Sequence, residues 1–429
     1  MSHISTSQAS DKEAWSLDQW LIYLAQVHAS NIELGLERVA DVFRNLQLDF
    51  SQRIIITVAG TNGKGTTCAL IEQAILASSQ SVAVFSSPHL LDYRERVRIG
   101  GAMLTEEDHC QAFLKVDQAR GEISLTYFEF GTLAALQLMA DSCAKTLLLE
   151  VGLGGRLDAV NIVDPTIAVI TSIDLDHQDW LGDTKELIAI EKAGIFRANI
   201  PAVIGEPQPP TTLRDAAFDY QVKPLWQGSD FHFQIDAKGF HWQGKIGRYD
   251  NLPIPNIPAQ NASTALQIIE ILGLQLDNRQ MAQVFNQTRL PGRRQVIQNK
   301  PTVILDVAHN PQATNLLAFD IKNMKYKRVI AVVAMLADKE INATLAPMLP
   351  VVSIWHCASL DVPRGAKSST LVSAVLSSEQ KVLDYGSVEV AYKCALENAE
   401  KDDLVIVFGS FFTVTNVLKM GSLTPNKKV

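Results

Sequence analysis

The sequence predicts an α/β protein of two successive α/β domains, the first larger than the second. Three observations lead there. Short apolar or β-branched runs alternate with helical segments, the pattern of strands buried on both faces of a parallel sheet. A glycine-rich stretch, Gly60-Thr61-Asn62-Gly63-Lys64-Gly65-Thr66-Thr67, lies between the first of those runs and a helical segment. The alternation breaks at Leu290-Pro291-Gly292-Arg293-Arg294 and then restarts. The length of 429 residues agrees, since one domain takes roughly 150.

The stretch before Ile54 reads as helical. Ser16 is placed to cap a helix whose Trp20, Leu21, Leu24 and Val27 share one face, and Leu36, Val39, Val42, Phe43 and Leu46 repeat that spacing. Strands are expected at Ile54–Ala59, Val82–Phe85, Thr146–Val151 and Thr166–Ile173. Phe231–Ile235 and Phe240–Gly244 alternate around a turn holding Asp236, Lys238 and Gly239, which suits a small antiparallel addition. A helix is expected from Ala262 to Leu274, ahead of the Pro-Gly junction. Beyond it, strands are expected at Val303–Val307, Val329–Val333, Val352–His356, Lys381–Leu383 and Leu404–Phe408.

Composition excludes several classes. Hydrophobic residues make up 47% and charged residues 20%, which argues against a mainly disordered chain. With 38 Lys+Arg against 46 Asp+Glu, the net charge is −8. Nucleic acid or an anionic membrane surface therefore has no global electrostatic support, and an anionic substrate needs a local basic site. Cys68, Cys110, Cys143, Cys357 and Cys394 are scattered and form no CxxC pair, so neither a disulfide framework nor a zinc ribbon is indicated. Met1 to Glu13 is polar and lacks the apolar core of a signal peptide. The longest apolar run, Val329–Ala337, suits a buried strand rather than a membrane span of ~20 residues. A soluble, cytoplasmic protein is expected.

The glycine-rich loop carries the first chemistry. Glycines let backbone N–H groups approach a polyphosphate, and the following helix N-terminus adds its positive end. Lys64 supplies a point charge for β- and γ-phosphates, and Thr66 or Thr67 a hydroxyl for Mg²⁺. The loop is two residues shorter than GxxxxGK[ST], and Gly65 intervenes before the hydroxyl. Glu150 closes an expected strand at the sheet edge where ligands gather, and reads either as a Mg²⁺ carboxylate or as a solvated strand-end acid. Asp174-Leu175-Asp176-His177 also follows a strand, and a lone histidine there is more often a packing or surface residue than a ligand. Lys192 passes for an exposed helix lysine, and Arg94, Arg96 and Arg98 for a solvated strand face with some capacity to steer anions. Val151-Gly152-Leu153-Gly154-Gly155 hints at a dinucleotide fingerprint, but GxGxxG needs glycine where Leu157 stands.

The variant loop Gly60–Thr67 resembles the ATP loop of the Mur-ligase superfamily, in its folate branch. Further segments resemble that branch in the same order: Ser86–Leu90, Leu125–Glu129, Glu150–Asp158, Asp176-His177, Glu191–Arg197, Pro291–Arg293 and Asp306–Pro311. The chain is thereby similar to the dihydrofolate synthase/folylpolyglutamate synthases of the bacterial, bifunctional kind. The resemblance implies a parallel-sheet P-loop ATP-binding domain, which also binds the pterin, over 1–295. A smaller Rossmann-like α/β domain that binds glutamate is implied over 296–429. ATP is implied at Gly60, Thr61, Asn62, Gly63, Lys64, Gly65, Thr66, Asn261, Arg293 and Asp306. Mg²⁺ is implied at Thr66, Ser87, Glu150, His177 and a carbamylated Lys192, with a monovalent cation as a further candidate. For dihydropteroate the resemblance implies Ile32, Glu33, Leu34, Thr126, Tyr127, Phe128, Glu129, Leu157, Asp158 and Ala159. For glutamate it implies His309 and Ser410. Taken without the resemblance, Tyr127 and Phe128 are core aromatics as readily as stacking platforms. Phe412 stands where the family often has histidine, which removes one polar group from the glutamate motif.

The implied reaction is ATP-dependent amide formation, in which Lys64, Glu150, His177, Lys192 and His309 take the catalytic parts. Dihydropteroate and reduced folates each accept L-glutamate through an acyl phosphate, and the enzyme is a cytoplasmic monomer without nucleic-acid or membrane partners. A monofunctional folylpolyglutamate synthase shares every motif. A peptidoglycan-precursor ligase shares the chemistry, but the short N-terminal segment leaves little room for a uridine-nucleotide domain. A non-catalytic ATP-dependent scaffold has no use for the Glu150, His177, Lys192 and His309 constellation.

Overall fold

The computed structural model describes residues 12–28, 30, 33–376 and 380–422, with Ser422 described by its backbone alone. Ile32 and the polar residues before Lys12 lie outside these. Contacts divide the chain into two compact units. Unit 1 takes the chain up to Ile173 together with Asp179–Thr288; unit 2 takes Asp174–Gln178 and the chain from Arg289 onward. The division thus falls at Thr288/Arg289 rather than at 295/296. The reason is local: Val307 N–H bonds Gly292 O at 2.8 Å, which ties the Pro291-Gly292 turn to the second sheet.

Unit 1 is built on an eight-stranded sheet: β1 (Ile54–Ala59), β2 (Val82–Phe85), β3 (Val97–Ile99), β4 (Ala102–Met103), β5 (Thr146–Glu150), β6 (Ile167–Ile170), β7 (Pro201–Ile204) and β8 (Lys223–Trp226). Their spatial order is β4-β3-β2-β5-β1-β6-β7-β8. From β2 to β8 all pairs are parallel, while β3 and β4 add an antiparallel edge. Strands β2, β5 and β6 are buried along their whole length, as their uninterrupted apolar character requires. Order reverses around β1, so the crevice at the carboxyl ends of β5, β1 and β6 is where a ligand is expected to sit. Expected strands Thr146–Val151 and Thr166–Ile173 overran into this crevice. Strands β7 and β8 were not expected because each carries a proline, Pro201 at the start of β7 and Pro224 in the edge strand β8, where the ladder tolerates it.

The helix Lys64–Ala77 is apolar nearly all round and buried between the sheet and helices Ala259–Ile271 and Asn278–Gln287. The antiparallel addition has three strands: β9 (His232–Asp236), β10 (Gly239–Gln243) and β11 (Arg248–Leu252). Its Phe240, Trp242 and Leu252 join the same core. Strand β11, Arg-Tyr-Asp-Asn-Leu, has no alternation to betray it. At the start, Ser16 and Gln19 form a reciprocal capping box on helix Leu17–Leu24, with Trp20 and Leu24 buried. Val27 falls beyond that helix. Leu36 stands at the N-cap of helix Glu37–Leu46 rather than inside it.

Unit 2 holds a six-stranded sheet of β12 (Gln295–Asn299), β13 (Thr302–Leu305), β14 (Val329–Val333), β15 (Ile354–Ala358), β16 (Lys381–Tyr385) and β17 (Leu404–Phe408). The order is β12-β13-β17-β14-β15-β16, parallel except for the antiparallel edge strand β12. The expected strand Val352–His356 starts two residues early relative to β15 because Val352 packs under the preceding turn as part of the core.

Candidate active site

The glycine-rich loop follows β1 and is fastened to the segment after β6. Thr61 N–H donates to Ser172 O at 2.9 Å, Asn62 N–H to Ser172 Oγ at 3.0 Å, and Thr171 Oγ1 to Asn62 O at 2.6 Å. Gly63 has φ +86°, and a Cβ there would lie 2.5 Å from Asn261 Oδ1. Only glycine satisfies both the left-handed backbone and that close approach. Asn261 Nδ2 in turn donates to Thr66 Oγ1 at 2.8 Å. The Lys64 ammonium lies over the loop, donating to Gly60 O at 2.7 Å and Thr61 O at 3.2 Å. It stands where an incoming phosphate would compete with those carbonyls. The loop, Thr66 and Asn261 therefore form one braced cradle, although Asn261 is 195 residues away from Thr66 in sequence.

Glu150 ends β5 in register with Val58 of β1 and is 6% exposed, so it is a buried carboxylate and not a solvated one. Ser87 N–H donates to its Oε2 at 3.3 Å. After β5, Gly155 packs so closely that a Cβ would lie 2.7 Å from Glu191 O and 2.9 Å from Lys192 O. Arg156 N–H donates to Glu191 O at 2.8 Å, and its guanidinium pairs with the Glu191 carboxylate at the same distance. The glycine-rich segment thus docks the helix Lys185–Ala193 and buries Lys192, which is 3% exposed rather than a surface lysine. Asp158 is buried as well and accepts from Leu153 N–H at 2.7 Å and Val160 N–H at 3.0 Å. Burial pushes its carboxyl up to about 6, against those bonds and the charge of Lys64. Leu157 is half-buried and Ala159 buried beside it in sequence.

Thr126 and Glu129 form a capping box on helix Tyr127–Asp141, with Glu129 Oε2 accepting Thr126 N–H at 2.7 Å. Glu129 is buried and its other oxygen pairs with Arg38 at 2.8 Å; Arg38 also contacts Glu33. Arg38 was not foreseen, since nothing near Glu37-Arg38 in sequence marks it. Phe128 lies against Gly152, where a Cβ would meet its ring at 2.4 Å, and 6.0 Å from the Phe85 ring. Tyr127 has the Arg96 guanidinium 5.4 Å from its ring. Leu34 is half-buried and Glu33 exposed.

The arginines following Ser-Pro-His-Leu do not form a solvated strand face. Arg94 binds Asp92 in a one-turn helix, and Arg96 is 8% exposed. Arg98 pairs with the buried Glu72 at 2.8 Å. Arg96 Nε donates to His89 Nδ1 at 2.9 Å, and burial with that neighbouring charge pushes the imidazole down to about 4.

In unit 2, Asp306 accepts Arg294 N–H at 3.0 Å and Ala308 N–H at 2.8 Å, shaping the turn that presents His309. His309 Nδ1 lies 2.8 Å from Val307 O, and its ring is 6.3 Å from Phe411. Arg293 stacks over the same phenyl ring at 5.5 Å. Ser410 is buried and its Oγ accepts Thr413 N–H at 3.0 Å, while Phe412 is 44% exposed. His177 has φ +51°, which turns it out of the segment following β6; its N–H donates to Asp176 Oδ1 at 2.9 Å. Asp176, already part of the Asp176-His177 motif, pairs with Lys339 at 2.6 Å, a lysine that no motif marked. The signal available was positional: Lys339 lies in the loop after the buried strand β14, at the sheet edge where ligands collect.

Among the described residues, no three His, Cys, Asp or Glu side chains gather into a metal centre by themselves. A nucleotide-bound Mg²⁺ takes much of its shell from phosphate oxygens and water. The buried Glu150 carboxylate and the hydroxyls of Thr66 and Ser87 are hard oxygen donors of the kind such an ion takes.

A phosphate cradle on a parallel-rich sheet, followed by a second mixed α/β unit, defines the ATP-dependent ligases of the Mur fold. The Mur ligase middle domain model matches residues 58–204, and the Mur ligase glutamate ligase domain model matches 292–411. Over 405 residues the chain is 44% identical to the dihydrofolate synthase/folylpolyglutamate synthase of Escherichia coli, spanning 94% of this chain and 95% of that protein. E. coli FolC in complex with DHPP and ADP superposes with a TM-score of 0.91 at 44% identity, over 96% of this chain and 98% of that one. A bifunctional folylpolyglutamate synthase/dihydrofolate synthase with Mn, AMPPNP and L-glutamate bound gives 0.89 at 45% identity, over 96% and 99%. The chain belongs to the dihydrofolate synthase/folylpolyglutamate synthase family of Mur ligases.

Proposed function

We propose that the chain is a bifunctional ligase that joins L-glutamate to dihydropteroate, forming dihydrofolate, and to reduced folates, forming folylpolyglutamates. The observation that carries this reading is its likeness, through both units, to a FolC solved with DHPP and ADP. A carboxylate has a poor leaving group and does not react with an amine near neutral pH. Transfer of the γ-phosphoryl of ATP to that carboxylate releases ADP and leaves an acyl phosphate. The glutamate amine then attacks the carbonyl carbon and phosphate departs, so no redox partner is needed.

The residues act mainly by positioning and charge neutralisation. Lys64 exchanges the loop carbonyls for phosphate oxygens, and the loop N–H groups hold the polyphosphate. Thr66, Ser87 and Glu150 would hold the divalent ion, with His177 added by the family likeness; when bound, the ion neutralises phosphate charge. Lys192 is read as the carbamylated position, supported by its burial. Asn261, Arg293 and Asp306 are read as nucleotide contacts, His309 and Ser410 as glutamate contacts. Glu33, Leu34, Thr126–Glu129 and Leu157–Ala159 are read as the pterin site, in which Arg38 orders the two glutamates. The enzyme is read as a cytoplasmic monomer; the net charge of −8 speaks against nucleic-acid or anionic-membrane partners.

Phosphate release from ATP and Mg²⁺ with glutamate tests the reading, with dihydropteroate and tetrahydrofolate in separate reactions. Both pterins should raise turnover, and Glu150→Ala should lower it at least ~100-fold while the protein stays folded. Activity with tetrahydrofolate alone reduces the function to chain extension. No response to either pterin removes the folate assignment.

A further inference from the structure

Arg94, Arg96 and Arg98 alternate after Ser86–Leu90, and the fold neutralises only two of them. Arg94 pairs with Asp92 at 2.6 Å and Arg98 with the buried Glu72 at 2.8 Å. Glu95 stands between Arg94 and Arg96, but its carboxylate accepts the N–H groups of Leu90, Leu91 and Asp92, each at 2.8 Å. Arg96 is 8% exposed, yet among the described residues no carboxylate lies within ion-pair distance of it. Its Nε donates to His89 Nδ1 at 2.9 Å, and among those residues its two terminal nitrogens have no acceptor. The accepting imidazole is neutral and brings no counter-charge. The guanidinium stands 5.3 Å from the Tyr93 ring and 5.4 Å from the Tyr127 ring. Burial pushes both phenols up, so neither supplies a negative charge. Two aromatic faces offset part of the cost of burying a cation without replacing a counter-ion.

Arg96 lies between two segments that serve the proposed reaction. Its carbonyl accepts Ser86 N–H at 2.9 Å, next to Ser87, whose own N–H meets Glu150. On the other side, Tyr127 opens the helix that carries Phe128 and Glu129. The first segment serves the carboxylate that is phosphorylated, the second the pterin. The two substrates differ in what joins these ends. In dihydropteroate the reacting carboxylate sits directly on the benzoyl ring. A reduced folate reacts through its γ-carboxylate, and its α-carboxylate, ionised and unreactive, lies in between. Enclosing that second anion requires a counter-charge, and Arg96 is a buried cation still without one.

We infer that Arg96 receives the α-carboxylate of folate substrates and is thereby a specificity residue for chain extension, the activity whose substrate carries that group. A planar guanidinium with open terminal N–H groups suits a carboxylate, which it meets through two parallel bonds. The inference rests on the bifunctional reading and on Thr126–Glu129 as part of the pterin site.

The test compares wild type, Arg96→Met and Arg96→Lys in steady state with dihydropteroate, tetrahydrofolate and tetrahydropteroyl-γ-aminobutyrate. The last keeps the reacting carboxylate and lacks only the α-carboxylate. Arg96→Met should lower kcat/KM for tetrahydrofolate at least about tenfold and shift that for dihydropteroate by no more than about twofold, with Arg96→Lys in between. Wild type should lose a similar factor on the aminobutyrate conjugate. Arg96→Met should lose nothing further on it, because the contact is already gone. Unchanged tetrahydrofolate kinetics in Arg96→Met overturn the proposal, as does an equal fall for dihydropteroate, which would make Arg96 a structural residue. So does a wild type that uses the conjugate as well as tetrahydrofolate, an outcome that needs no variant and decides the matter if Arg96→Met fails to fold. A wild type active with dihydropteroate and inactive with tetrahydrofolate brings down the bifunctional reading itself, and the proposal with it.

Discussion

Asp158 shows how one side chain converts burial into a pH dependence. Its carboxyl is raised to about 6, so the folded protein favours the neutral acid. The stability this supplies is complete below the ordinary carboxylate range near 3.9 and is lost as pH rises through about 6, amounting to at most about 3 kcal/mol. Asp158→Asn cannot ionise and lacks that loss. The melting temperature of wild type minus that of Asp158→Asn should therefore fall between about pH 4 and pH 6 and level off above. A flat difference would mean that the Leu153 and Val160 amides hold the ionised form at no cost. At this scale the sequence named the residue but not its state. Aspartate in Arg156-Leu157-Asp158 looks like any loop acid until the fold closes over it.

At the scale of elements, the Gly152–Asp158 turn and the helix Lys185–Ala193 form one device. Gly155 is glycine because backbone oxygens of Glu191 and Lys192 occupy the space of a side chain. Gly155→Ala should force that helix outward, lowering unfolding stability by about 1–3 kcal/mol in urea titration and reducing turnover through displaced Lys192. Wild-type stability and turnover in that variant would show that the helix yields without consequence. The capping box of Thr126 and Glu129 works differently. Its Thr-x-x-Glu pattern before an apolar run is a local signal that went unread, whereas the ion pair from Glu129 to Arg38 joins helices 91 residues apart and had no local sign.

For the whole molecule, a ligand that binds only the folded chain must stabilise it by mass action. ADP with Mg²⁺ at a hundred times its Kd should add about 2.7 kcal/mol, read as a rise in melting temperature. Lys64→Ala should cut that rise, because the loop loses its point charge; an undiminished rise would place the nucleotide elsewhere.

The alternation of buried runs and helices, the phosphate loop between β1 and its helix, and the Pro-Gly junction were legible because periodicity and turn chemistry are local properties. The family motifs likewise lie in short contiguous stretches. Short strands such as β8 and β11 were not legible, since an edge or a bulged strand needs no apolar signature. Nor were the partners of the site residues. Asn261 on Thr66, Arg38 on Glu129 and Lys339 on Asp176 are contacts across long loops, and which charge meets which is settled only when the chain packs. The sequence by itself determined the class of fold and the chemistry its motifs can support. Tertiary structure alone decided which acids and lysines are buried, because burial is a property of what closes over a residue and not of the residue.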